Sequence, residues 1–294
     1  MKHAPVRHRI EYVAYLAAKR LLLTLPHRTV RRVGHGLGSL GFALLRSRRR
    51  LALANLALAL PDLDAGAWRR VARASFRHFG AGLCEVISAS RLGPEGIGPR
   101  FDFEGEEHLA AARGAGRGLF LMTAHFGPWE VAAYPLGARI GPLHVVAQPP
   151  DNPHVAADLE RMRIRSGSLL IGKQGAGHRM LNAVRRGGVV GILIDQRVRP
   201  EVGVLVPFFG REVWTSPVLA FLSLLTRIPV VPAFCYPRGD DRYVLRFLPA
   251  IEPDDPVPGK ETETALTARY LAVVETEIRR RPELWLWLHR RWER

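Results

Sequence analysis

Cysteine is nearly missing from this chain. Cys84 and Cys235 are the only two in 294 residues, too few for a disulfide framework. Neither stands in a metal-ligand spacing, so both are expected as buried thiols in a reducing compartment. The eleven histidines are scattered, and no His/Cys/Asp set has zinc spacing, so no metal is expected. Long apolar runs are missing too. Residues 13–25 fall short of the ~20 apolar residues a spanning helix needs. Acidic side chains are scarce: 27 Asp+Glu face 43 Lys+Arg, a net charge of +16. That balance calls for a polyanionic partner, unless the arginines only follow a compositional bias shared with alanine, leucine and glycine. There is no zinc finger, homeodomain-like array or aromatic RNA-binding motif, so nucleic acid is not the expected partner. Internal repeats and low-complexity tracts are also absent.

With 47% hydrophobic residues the chain is long enough for one large domain or two small ones. Its first part reads as helical. Residues 1–9 are basic and residues 13–25 apolar, which mimics a secretory signal. Glu11 opens the run, Lys19-Arg20 interrupt it, and no small-x-small cleavage site follows. The pattern suits a helix lying in a membrane interface with Lys19 and Arg20 snorkelling; the alternative is a soluble helical hairpin with a solvated basic face. Residues 26–60 repeat the theme, with Arg28, Arg31 and Arg32 before an apolar stretch and the block 46–50 after it. Gly36-Leu-Gly-Ser-Leu-Gly41 matches a dinucleotide fingerprint. It lacks the preceding strand and the acidic residue about 20 positions on, so Gly34 and Gly38 are read instead as letting two helices, or a helix and lipid, approach closely. Residues 67–88 follow helical spacing, and the Gly- and Pro-rich stretch 91–100 reads as a connector. Residues 1–100 are thus a helical, membrane-associating region and residues 101–294 an α/β core, together one continuous domain.

From residue 101 strands and helices alternate. Strands are expected at 101–105, 119–124, 144–148, 169–171, 188–195, 229–235 and 243–248. Helices are expected at 106–113, 130–137, 153–166, 176–186, 215–227 and 261–281. A turn at 114–118 delivers the second strand. The implied fold is α/β: a mixed, largely parallel sheet flanked by helices.

In such folds ligands bind outside the carboxyl ends of the strands. There the strand 119–124 delivers His125, and Glu130 follows at a helix start. A neutral imidazole can take a proton from an alcohol, and a nearby carboxylate can orient the ring and stabilise the imidazolium. The plainer alternative is a surface histidine in a loop. No serine or cysteine lies close in sequence as a nucleophile; Thr123 and Ser166 are candidates by availability only. Direct transfer is therefore simpler than a covalent intermediate. Arg161, Arg163 and Arg165 spread around a helix end, where one or two can reach an anion. Asp195-Gln196 ends the strand 188–195 and should share the sheet edge with His125. Val206-Pro-Phe-Phe-Gly-Arg211 reads as a loop whose aromatics and Arg211 either line an apolar slot or simply anchor the loop.

Taken together, four stretches resemble the bacterial lipid A biosynthesis acyltransferases, late lauroyl/myristoyl acyltransferases of the lysophospholipid acyltransferase superfamily. They are Thr123-Ala-His-Phe-Gly-Pro-Trp-Glu130, Leu193-Ile-Asp-Gln196, Val206-Pro-Phe-Phe-Gly-Arg211 and Pro282-Glu-Leu-Trp-Leu-Trp-Leu-His-Arg-Arg-Trp292. Asn55-Leu with Pro61-Asp-Leu resembles the segment after that family's N-terminal helices. The resemblance implies a glycerol-3-phosphate acyltransferase-like fold. It implies a monotopic or peripheral enzyme on the cytoplasmic face of a bacterial inner membrane. It implies transfer of a fatty acyl group from acyl carrier protein or coenzyme A, as co-substrate rather than cofactor, to a hydroxyl of a glycolipid. His125 and Glu130 match the family's catalytic His-x4-Asp/Glu pair, with Glu130 expected to orient the histidine. Arg163, Asp195, Gln196 and Arg211 are implied in substrate binding, and the tryptophan-rich tail in packing and interface anchoring. Pro128 is a departure, since Asn often stands there. Alternatives are another glycolipid acceptor such as a phosphatidylinositol mannoside, a lysophospholipid, or a non-catalytic basic binding protein.

Overall fold

A computed structural model describes residues 4–113, 118–147, 150–172, 174–253 and 257–293. The expected turn at 114–118 lies mostly outside these residues, as does Gln148 of the strand expected at 144–148. Four helices come first: α1 (Ala4–Thr24), α2 (His27–Leu44), α3 (Arg46–Ala59) and α4 (Ala65–Ile97). Then follow β1 (Phe101–Glu104), α5 (Glu106–Arg113), β2 (Leu119–Thr123), α6 (Trp129–Ile140), β3 (Leu143–Val146), α7 (Pro153–Arg165) and β4 (Ser168–Ile171). The chain continues through α8 (Ala176–Arg185), β5 (Val189–Leu193), β6 (Val204–Phe208), β7 (Arg211–Thr215) and α9 (Val218–Thr226). It closes with β8 (Val230–Arg238), β9 (Arg242–Phe247) and α10 (Lys260–Arg280).

Seven strands form one sheet in the order β1-β9-β8-β2-β5-β3-β4. All neighbours are parallel except β8 and β9. The fold is therefore mixed α/β with a mostly parallel sheet flanked by helices. The central strand β2 reads Leu-Phe-Leu-Met-Thr because both its faces are covered; Leu119 to Met122 are all buried. Thr123 of β2 pairs with Leu193 of β5. That register brings the residues just past the two strands to one edge.

Two elements differ from the sequence expectation. The connector expected at 91–100 is mostly helix: α4 runs on to Ile97 and bends at Gly93, whose φ of 67° is open to glycine without strain. The loop expected around 206–211 is a hairpin. β6 and β7 pair antiparallel through the two-residue turn Phe209-Gly210, both at positive φ. Pro207 disguises the first strand. It is tolerated because this two-stranded ribbon leaves its amide position without a ladder partner to lose.

The helical region is packed together by glycine and joined to the sheet body by buried polar groups. A Cβ on Gly38 would meet the Phe76 carbonyl oxygen at 2.2 Å, and one on Gly34 would meet the Ala81 Cα at 2.5 Å. The glycine stripe therefore serves contact between α2 and α4, as its spacing suggested. Arg31 of α2 pairs with Glu85 of α4 at 3.2 Å, and Glu85 accepts from Tyr243 of β9 at 2.8 Å. Lys19 is not a snorkelling residue. It bonds Asp158 of α7 at 2.5 Å, beside Tyr15 at 2.6 Å, because that buried carboxylate needs a counter-charge. Arg20 remains exposed. Among the described residues no helix is long and apolar enough to cross a membrane.

Candidate active site

The chain leaves β2 into a turn that only glycine can make. Gly127 has a φ of 61°, and a Cβ there would lie 1.7 Å from the Cys235 carbonyl oxygen. The tail holds the same turn from outside. Leu286 donates its amide to the His125 carbonyl at 3.1 Å, and Gly127 donates to Leu284 at 2.9 Å. His125 is thus fixed by backbone on both sides, with its ring against Trp129 at 5.2 Å between centroids.

Asp195, two residues past the end of β5, is the partner of that ring. Its Oδ1 lies 2.9 Å from His125 Nδ1, while Oδ2 accepts from the His125 amide at 3.0 Å and from Trp285 Nε1 at 2.8 Å. The carboxylate is 2% exposed. Burial alone would raise its pKa, but the facing imidazole and these three donors hold it down near 2. For His125, burial opposes protonation. Asp195 first, and Glu130 second, outweigh it and leave the imidazole pKa raised. With Nδ1 committed to Asp195, Nε2 is the cleft-side nitrogen. It is hydrogen-bonded to Gln196 Nε2 at 2.9 Å, in a cleft of about 740 Å³. A neutral imidazole with its proton on Nδ1 presents Nε2 as a base.

Glu130 does not hold the imidazole. It sits on the first turn of α6, and its carboxylate takes both ends of Arg163, at 2.5 and 3.2 Å. The reason is position: Nδ1 points across to the end of β5, and Glu130 lies on the other side of Trp129 toward α7. Arg163, from the last turn of α7, lines the cleft with Glu130 and His125. Its two neighbours are elsewhere. Arg161 pairs with Asp158 at 3.1 Å and Arg165 is exposed. Ser166 is spent on the Arg163 carbonyl at 2.7 Å. Thr123 lines an apolar pocket beneath the sheet edge.

Arg211 is not brought to this place. It is exposed at the hairpin tip and does not line the cleft. The aromatics beside it are anchors: Phe208 and Phe209 are buried against Trp285, Trp287 and Trp292. The tail tryptophans are therefore core. Trp285 is 1% and Trp287 0% exposed, which excludes interface anchoring by these two. Sequence reasoning missed Trp285 as a site residue, and also its supports. Ser75 donates to the Trp285 carbonyl at 2.7 Å, and Asn55 bonds the Trp287 and His289 carbonyls at 2.8 Å each. The Asn55-Leu motif and the tryptophan-rich tail were the available signals. Among the described residues no group of three or more His, Cys, Asp or Glu is placed to hold a metal.

Comparison with known proteins settles the family. The family model described as bacterial lipid A biosynthesis acyltransferase matches residues 2–294. The chain belongs to this family. It is similar to the lipid A biosynthesis lauroyltransferase of Escherichia coli, 28% identical over 93% of this chain and 88% of that one. The palmitoleoyltransferase of the same organism is 27% identical over 93% and 88%. The myristoyltransferase is 25% identical over 87% and 77%. Among solved structures, the 1-acyl-sn-glycerophosphate acyltransferase PlsC of Thermotoga maritima is similar at a TM-score of 0.38, 14% identical, over 90% of this chain and all of that one. This lipid A acyltransferase accordingly transfers an acyl group from a donor co-substrate to a lipid A precursor.

Proposed function

We propose that this acyltransferase works by direct transfer, with His125 as general base and Asp195 as the carboxylate that orients it. The observation that carries the reading is the 2.9 Å contact between His125 Nδ1 and Asp195 Oδ1, with Nε2 left facing the cleft. Nε2 removes the proton of the acceptor hydroxyl. The oxygen attacks the carbonyl carbon of an acyl thioester carried by acyl carrier protein or coenzyme A. The tetrahedral oxyanion collapses and expels the thiolate, which takes the proton back from the imidazolium. Two sources of positive potential face that oxyanion. The first turn of α6 leaves the Trp129 and Glu130 amides without intrahelical acceptors, and Arg163 stands beside them. Glu130 is then a positioning residue that keeps Arg163 pointed at the cleft and adds to the field favouring the imidazolium. Gln196 holds Nε2 until the acceptor hydroxyl displaces it, and Arg211 acts at the surface, toward the acidic carrier or lipid.

The apolar pocket of about 100 Å³ under the sheet edge, bounded by Leu121, Ala132, Leu136, Gly191 and Ala233, has room for a short part of the donor's hydrocarbon. Each buried methylene contributes about 0.8 kcal/mol there. The reaction takes place at the cytoplasmic face of a bacterial inner membrane, by peripheral association. Supporting this, α2 exposes Val33, Leu37, Leu40 and Leu44 along one face, and α1 exposes Val6, Ile10, Val13 and Leu21. Such stripes beside Arg46, Arg48 and Arg50 suit an anionic lipid surface.

The test is acyl transfer to a lipid A precursor by purified variants. His125→Ala is expected to lose transfer at least 10³-fold while keeping its melting temperature. A folded His125→Ala protein with wild-type turnover would sink the mechanism.

A further inference from the structure

A second apolar groove, of about 190 Å³, shares Trp129 with the pocket beneath the sheet. Its walls include Phe79, Leu83 and Val86 from α4 and Leu159 and Met162 from α7, and the turn 127–131 into α6 closes one side. The groove, the pocket under the sheet and the polar cleft all share Trp129, Glu130 and Arg163. That trio is the partition at which two apolar receptacles meet one catalytic cleft. The groove is also kept open at a cost. Gly80 on α4 is a glycine because a side chain would strike α2, with the Gly34 carbonyl oxygen 2.4 Å from its Cβ position. Gly82, two residues on, has nothing within 4 Å of its Cβ position. Packing does not call for a glycine there, and glycine weakens a helix interior. What Gly82 leaves vacant is the groove. At its mouth Leu83 is 74% exposed, an entry that an aqueous ligand does not need.

We infer that this groove binds a hydrocarbon chain already present on the acceptor lipid, so that the acceptor hydroxyl is delivered to His125 from the α4–α7 side while the donor chain occupies the pocket under the sheet. The inference rests on the acyltransferase reading and adds which receptacle takes which substrate. The chemistry requires two lipidic reactants, and the molecule has two apolar sites joined at one partition. The groove is the one continuous with the helical face that carries the exposed leucine.

Gly82→Phe fills the groove without meeting backbone, and Gly82→Ala is its folding control. In steady-state transfer from an acyl thioester to a lipid A precursor, Gly82→Phe is expected to raise the acceptor KM at least tenfold. The donor KM and the melting temperature should stay at the Gly82→Ala values. An unchanged acceptor KM, or a donor KM that rises in parallel, overturns the assignment. A direct probe decides independently of turnover. Dodecan-1-ol bearing a terminal diazirine, photolysed with the wild-type protein, should label peptides of α4 and α7 around residues 79–86 and 159–162. Labelling confined to residues 132–147 overturns the groove. Groove labelling by a wild-type protein that transfers no acyl group would leave the chain site standing and refute the acyltransferase reading alone.

Discussion

Asp195 shows how a single side chain divides its two oxygens. One orients a ring; the other gathers the amide of that same histidine and an indole from the tail. An aspartate so held stays ionised in a nearly dry place, and its field sets the behaviour of His125. As the proposed general base, His125 works in its neutral form, so kcat/KM should rise with pH through the imidazole pKa, which lies above the ordinary value. Asp195→Asn removes the main raising influence while burial, which lowers the pKa, remains. The acid limb of the pH–rate profile should therefore move to lower pH, and kcat should fall by about 10³ to 10⁴ as the ring loses its oriented tautomer. A limb that stays in place, or moves upward, would contradict the assignment. Glu130→Gln tests the other carboxylate in the same assay. It releases Arg163 rather than the imidazole, and its loss should be the smaller one.

Helices α2 and α4 pack tightly against each other, and they do so through backbone. Helix propensity alone says that Gly38→Ala should stabilise by about 1 kcal/mol. The 2.2 Å approach to the Phe76 carbonyl says the reverse, because the two helices must move apart. Overpacking of that kind costs about 2 kcal/mol. The sign of the change in melting temperature decides between them, and a lower value is expected. The same element scale explains why the hairpin escaped notice. Pro207 argues against a strand locally, yet β6 is held by its pairing with β7 and by Phe208 entering the tryptophan cluster. The tryptophans of that cluster lie well outside any local window.

As a whole the molecule is polar in its charge and apolar in two exposed stripes. On the proposed peripheral association, the protein should sediment with vesicles containing anionic lipid, and less with neutral ones or at high salt. Leu37→Glu combined with Leu44→Glu should cut that binding at least tenfold without lowering the melting temperature, since the two leucines are 53% and 67% exposed. Vesicle binding unaffected by both changes would remove α2 from the contact.

Much of the fold was legible in the chain itself. Alternating apolar strands and amphipathic helices are local patterns, and α5 falls where its spacing predicts, at Glu106–Arg113. The placement of His125 and Asp195 at one sheet edge was legible too, because parallel strands of similar length deliver their ends together. What the local pattern left open was who holds whom. Glu130 is five positions from His125 and was expected as its partner. The tertiary structure instead brings in Asp195 from 70 positions away, and Trp285 to Asp195 from 90. Local periodicity determines which elements form and which face they bury. Only the meeting of distant segments determines which carboxylate a buried imidazole finds, because side-chain reach is a few ångströms in space and has no fixed measure along the chain.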